Sequence, residues 1–126
     1  MDEKTGFTQL VAIIDKLLGP EGCPWDKKQT VSSLSHMMLE EMREVIADVE
    51  ESEKLAEELG DVWMTLLMLT KAAEREGRFS WNYPLSKAAE KLIRRHPHIF
   101  EERKDLTPEE IEKQWIELKK REKEKT

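Results

Sequence analysis

The chain has 126 residues, which suits one domain with a single core, residues 1–126. Charged and hydrophobic residues each make up 38%, Gly and Pro number five each, and the formal net charge is -6. This balance excludes general nucleic-acid binding, which needs a basic surface, but not a single triphosphate, because a bound divalent ion reverses the local sign.

In chain order, the start Met1-Asp2-Glu3-Lys4 lacks the basic and apolar layout of a signal peptide. A first helix is predicted over about residues 8–18, with Leu10, Val11, Ile14, Leu17 and Leu18 on one stripe. Gly19-Pro20 stops it, and a loop follows through Gly22-Cys23-Pro24-Trp25-Asp26. Cys23 is the only cysteine, which rules out an intramolecular disulfide and a cysteine-based zinc site. A second helix is predicted over about 32–51 and a third over about 53–76, with Gly77 as its C′ residue. From Val62 to Leu69 the third helix is apolar on nearly all faces, so it needs cover on all sides. Self-association is the simplest cover in a chain of this length. The same stretch is too short to span a bilayer, so no membrane contact and a reducing, cytoplasmic location are expected.

A fourth helix covers about 85–95 and stops before Pro97. The last begins with Thr107 as N-cap, Pro108 at the first helical position and Glu110 closing a capping box. A charged, frayed tail is expected from about residue 119. Met37, Met38, Met42, Met64 and Met68 read as core filler. The expected architecture is all-α: a bundle of about five helices, assembled as a dimer or higher oligomer.

The acidic residues carry the chemistry. Glu41 and Glu44 lie in the second helix, Glu58 and Asp61 in the third, and residues three apart share a helix face. With Glu41 at zero and roughly 100° per residue, the apolar Leu34, Val45, Met38 and Val49 fall at roughly 20° to 80°, and Glu44 at roughly 300°. With Glu58 at zero, Leu69, Val62, Leu55, Leu66 and Leu59 fall at roughly 20° to 100°, and Asp61 again at roughly 300°. Acidic pairs arise by chance on solvated faces of a chain with 27 acids. These two are singled out by their matched placement at the margin of the apolar stripe. Two antiparallel helices so built would converge four carboxylates, a repulsion that a hard divalent ion relieves. All-oxygen ligation suits Mg²⁺, with Mn²⁺ as substitute. Zinc and di-iron sites would want His or Cys at these positions.

The residues also resemble a known family. Glu40-Glu41-x-x-Glu44, thirteen residues, then Glu58-x-x-Asp61 looks like the metal motif of the MazG nucleoside triphosphate pyrophosphohydrolases. So do Cys23-Pro24-Trp25-Asp26 with Gln29-Thr30, Gly77-x-Phe79, Lys91-Leu92-Ile93-Arg94-Arg95-His96-Pro97-His98-Ile99-Phe100, and Trp115 with Lys119, in the family's order over nearly the whole chain. The resemblance implies an all-α dimer or tetramer with Mg²⁺ at Glu41, Glu44, Glu58 and Asp61. It also implies cleavage of nucleoside triphosphates between the α- and β-phosphates. Lys91, Arg94, Arg95 and Trp115 would then belong to the nucleotide site. Trp25 is open to base stacking or to plugging its loop.

Three departures stand out: Val31 where the family often has His, Asn82-Tyr83-Pro84 where Asp-Val usually follows Gly-x-Phe, and one copy where many members are tandem. They bear on substrate preference rather than on the chemistry. The implied reaction is in-line attack on the α-phosphorus by a metal-activated water, with pyrophosphate leaving. Glu40 and Glu41 are the candidate catalytic residues, with Glu40, next to the ligand Glu41, the candidate general base, though it points roughly 100° away on the wheel. Lys91, Arg94 and Arg95, at i, i+3 and i+4, form one basic face suited to phosphates. His96 and His98 flank Pro97 and read as structural. The alternatives are a narrower dUTP, dCTP or phosphoribosyl-nucleotide pyrophosphohydrolase, and a non-catalytic helical oligomerisation module.

Overall fold

The computed structural model of the protein describes residues 3–125, with side chains from residue 6 onward; Met1 and Asp2, half of the segment read for a signal peptide, lie outside them. Seven helices form among the described residues: α1 (Glu3–Leu18), α2 (Pro24–Lys27), α3 (Val31–Ala47), α4 (Ser52–Arg75), α5 (Tyr83–Arg95), α6 (Pro97–Phe100) and α7 (Pro108–Glu124). No strand occurs among the described residues, in keeping with the all-α expectation. The two helices beyond the expected five, α2 and α6, are four residues each and start with proline at the first helical position. Four residues span barely one helical turn and leave no repeat to read in the pattern.

The chain divides into two compact units, Met1–Trp81 and Asn82–Thr126. In the first, α1 ends where the Cys23 amide donates to the Leu17 carbonyl at 2.8 Å. A Cβ at Gly22 would sit 2.0 Å from that carbonyl oxygen, so the turn admits only glycine. Thr30 and Ser33 then cap α3 reciprocally, each side-chain oxygen accepting the other's amide. The expected second helix ran on to residue 51. The chain instead leaves the helix after Ala47, because residues 48–51 are spent on the reversal that sets α4 antiparallel to α3.

The far ends of these two helices are tied together. Arg75 donates to the carbonyls of Lys27 and Gln29 at 3.0 and 3.1 Å, and Glu76 accepts the Val31 amide at 2.8 Å. That ion–amide contact at the α3 N-terminus holds the Glu76 carboxyl below its usual range. Gly77 has φ +76, with the Arg78 amide bonded to Ala73 and the Gly77 amide to Glu74, the Schellman ending its position predicted.

The core of this unit consists of Ile14, Leu34, Leu67, Ala72 and Ala73. It is smaller than the apolar content promised. Leu59 and Leu66 of the expected α4 stripe are 43% and 38% exposed. Met37, Met42 and Met64 are exposed rather than core filler, because helical spacing leaves them off the buried face that Leu34 and Leu67 mark. On α3, Leu39, Met42 and Ile46, continued by Val49, make an exposed apolar stripe at helical spacing. Lys71 is buried with its charge paired: Nζ lies 2.7 Å from Asp15 and 4.1 Å above the Trp81 ring.

In the second unit α5 and α7 pack together. Thr107 and Glu110 form the predicted capping box, and α7 continues as helix through the charged segment to Glu124. His96 ends α5 and opens α6; its Nδ1 donates to the Leu92 carbonyl at 2.6 Å. His98 is buried, its Nδ1 accepting from Gln114 at 2.9 Å. Both histidines hold loop geometry, as their position around Pro97 suggested. No helix among the described residues is long and apolar enough to cross a membrane.

Candidate metal centre and cationic cleft

The antiparallel pairing of α3 and α4 brings the acidic margins of both helices together. One carboxylate oxygen each from Glu41, Glu44 and Asp61 lie within 4.8 Å of one another. Burial raises the Glu41 carboxyl above its ordinary value, and the charges of Asp61 and Glu44 raise it further. Glu41 Oε2 is fully enclosed and has no hydrogen-bond donor. An enclosed carboxylate oxygen facing two more carboxylates, with no donor in reach, is what a cation site presents when only protein atoms are considered.

Glu58 stands at the edge of this trio rather than inside it. Its carboxyl meets Asp48, and a proton shared with Asp48 raises it to about 7, with help from burial and from the charges of Asp48 and Glu44 and against the pull of Lys54. Glu58 Oε2 is likewise enclosed without a donor. Asp48 was not singled out in the sequence, although it lies four residues after Glu44 and so on the same helical side. Glu40 points away from the cluster to solvent and pairs with Arg43. Trp25 is 59% exposed on α2, with Lys28 Nζ 4.3 Å above its ring.

The donors at the cluster are all carboxylate oxygens, which fits a hard divalent cation and not a thiolate- or imidazole-seeking metal.

The second unit carries Lys91, Arg94 and Arg95. Lys91, Leu92, Arg95, His96, Ile111 and Trp115 line an open cleft of about 410 Å³. Arg95 Cζ is 5.6 Å, and Lys119 Nζ 4.6 Å, from the Trp115 ring centre. Arg94 and Arg95 both turn onto Glu122. Arg94 Nε donates to Oε1 at 2.7 Å, and Arg95 donates from Nη2 to Oε2 at 2.8 Å and from Nε to Oε1 at 3.4 Å. The paired guanidinium groups pull the Glu122 carboxyl down to about 2. Glu122 was read as tail; its spacing of three and seven from Lys119 and Trp115 was the available signal.

Residues 29–100 match the MazG nucleotide pyrophosphohydrolase domain family. The chain is 40% identical over 119 residues to the nucleoside triphosphate pyrophosphohydrolase/pyrophosphatase MazG of Thermotoga maritima, covering 93% of this chain and 45% of that protein. It is equally 40% identical over 119 residues to the uncharacterized protein YabN of Bacillus subtilis, covering 93% and 24%. To the nucleoside triphosphate pyrophosphohydrolase of Escherichia coli K12 it is 36% identical over 114 residues, covering 88% and 43%. The chain therefore spans less than half the length of these curated relatives. The crystal structure of a mazG-related protein from Thermotoga maritima superposes with a TM-score of 0.78 at 32% identity, over 90% of this chain and 98% of that one.

Proposed function

Since the chain belongs to the MazG nucleotide pyrophosphohydrolase domain family, we propose that it is a Mg²⁺-dependent hydrolase that cleaves nucleoside triphosphates to the monophosphate and pyrophosphate. The observation that carries this reading is the convergence of Glu41, Glu44 and Asp61, with Glu41 Oε2 enclosed and without a donor. Glu41, Glu44, Asp61 and Glu58 would hold the ion, with Mn²⁺ as a substitute. When bound, it neutralises phosphoryl charge and lowers the pKa of water.

The chain's own groups do the rest. Water attacks the α-phosphorus, the P–O bond to the bridging oxygen breaks, and pyrophosphate leaves with the electron pair. Glu41, as an ion ligand, and its neighbour Glu40 are the assigned catalytic carboxylates; Glu40 is the candidate proton acceptor and needs to leave Arg43 to serve. Lys91, Arg94 and Arg95 are assigned to phosphate charge, and Trp115 and Trp25 to stacking on the base. The exposed stripe Leu39, Met42, Ile46 and Val49 supports assembly as a homodimer or homotetramer. The substrates and the single free Cys23 suit a reducing cytoplasm.

The test is product analysis after incubation with Mg²⁺ and a panel of nucleoside triphosphates. Monophosphate plus pyrophosphate from several nucleotides supports the reading, and turnover of one nucleotide alone narrows it to a dedicated enzyme. No cleavage by the folded, metal-loaded protein leaves a helical assembly module.

A further inference from the structure

Arg94 and Arg95 are neighbours in sequence, yet both guanidinium groups close on the two oxygens of one carboxylate. Successive helical side chains diverge by roughly 100°, so this convergence is imposed by the anion rather than by the helix. Two guanidinium groups forked onto adjacent oxygens are also the arrangement that recognises phosphate. Here the oxygens are supplied from within, by Glu122.

Beyond these contacts, Glu122 lies in the last turn of α7, whose C-cap is Lys125, and terminal helical turns open at small free-energy cost. Arg95 is the fixed half of the seat: its side chain is 14% exposed and backed by Trp115, whereas that of Arg94 is 49% exposed and within reach of a ligand. The Glu122 carboxylate keeps its charge at any working pH, so it cancels one of the two positive charges permanently. The cleft beside it is lined by Lys91, which makes no ion pair among the described residues.

We propose that Glu122 is the resident occupant of an anion seat built by Arg94 and Arg95, which a polyphosphate must displace to engage both arginines. Glu122 then sets how tightly the seat holds anions, and so how readily pyrophosphate is retained or released. Displacement frees the last turns of α7. The proposal rests on the nucleotide reading only for the class of anion; the seat and its occupant stand on geometry.

The probe is inorganic pyrophosphate without metal, titrated calorimetrically into the whole chain. Glu122→Gln keeps the size of the side chain and removes its charge. It is expected to bind pyrophosphate about three- to tenfold tighter than the parent, the scale of one removed competing charge near a protein surface. Adding Arg94→Gln to it should abolish the gain. Equal or weaker binding by a natively folded Glu122→Gln protein overturns the proposal and makes Glu122 a clasp between helices. If that variant does not fold, hydrogen exchange on the parent decides: pyrophosphate should speed exchange in residues 118–125, and unchanged or greater protection overturns the proposal. Failure of pyrophosphate to bind either protein also overturns it, while leaving nucleotide cleavage to be judged by product analysis. Conversely, tighter binding by Glu122→Gln with no nucleotide cleavage sinks the hydrolase reading and keeps the seat.

Discussion

At the residue scale, the acidic cluster is a set of groups that cannot all be charged together in the absence of a cation. Glu41 and Glu58 both have carboxyls raised above their unfolded values, Glu58 to about 7. In the window between the unfolded carboxyl value and about 7 the folded chain therefore binds more protons than the unfolded one, and the contribution of these groups to stability falls as pH rises. The metal-free protein is expected to melt at lower temperature at about pH 7.5, above that window, than at about pH 5.5, inside it. Glu58→Gln should flatten this slope, and Mg²⁺ should cancel it by replacing the shared proton; thermal melts across pH with and without the ion check both. Asp61→Ala should lower pyrophosphate release by about 100-fold or more while far-UV circular dichroism stays helical. Loss of helicity instead would make Asp61 a structural residue.

At the scale of single elements, the caps were the most legible features. Thr107-Pro108-x-Glu110 and Gly77 act through local chemistry, a side chain reaching a free amide and a backbone turning left-handed, so their sequence signatures survive any tertiary context. Gly77→Ala should cost about 1–2 kcal/mol because φ +76 is unfavourable for a residue with a Cβ. Urea unfolding measures it, and a midpoint equal to the parent's would mean that the turn relaxes freely. The shared face of Glu41 and Glu44 was legible for a similar reason, since i, i+3 spacing puts residues on one face wherever the helix goes. The partnership of Glu58 with Asp48 was not. It depends on where α3 stops, and Val49 continues the apolar pattern past that point, so periodicity alone extends the helix through the reversal.

At the scale of the molecule, the first unit buries few large side chains. Ile14, Leu34 and Leu67 are its only buried large aliphatics among the described residues, while Ile46 is 69% and Trp63 50% exposed. A chain with 38% hydrophobic residues and so modest a core leaves apolar surface exposed, which is the ground for the proposed assembly. Ile46→Glu should shift sedimentation toward the monomer at micromolar concentration with little loss of helix. An unchanged oligomer would place the interface elsewhere, and a parent that sediments as a monomer would remove the assembly reading altogether.

The sequence by itself determined the all-helical class, the principal breaks, the caps and the faces on which the acidic residues lie. All of these follow from interactions within four or five residues along the chain. Only the tertiary structure decided that three carboxylates form the tight cluster while the fourth meets Asp48, that Arg94 and Arg95 close on Glu122, and that α4's apolar positions are partly left uncovered. Those outcomes depend on which helix lies against which and in what register. That choice is made by packing between residues up to 48 apart, such as Arg75 on the Lys27 carbonyl, and it leaves no local periodicity to read.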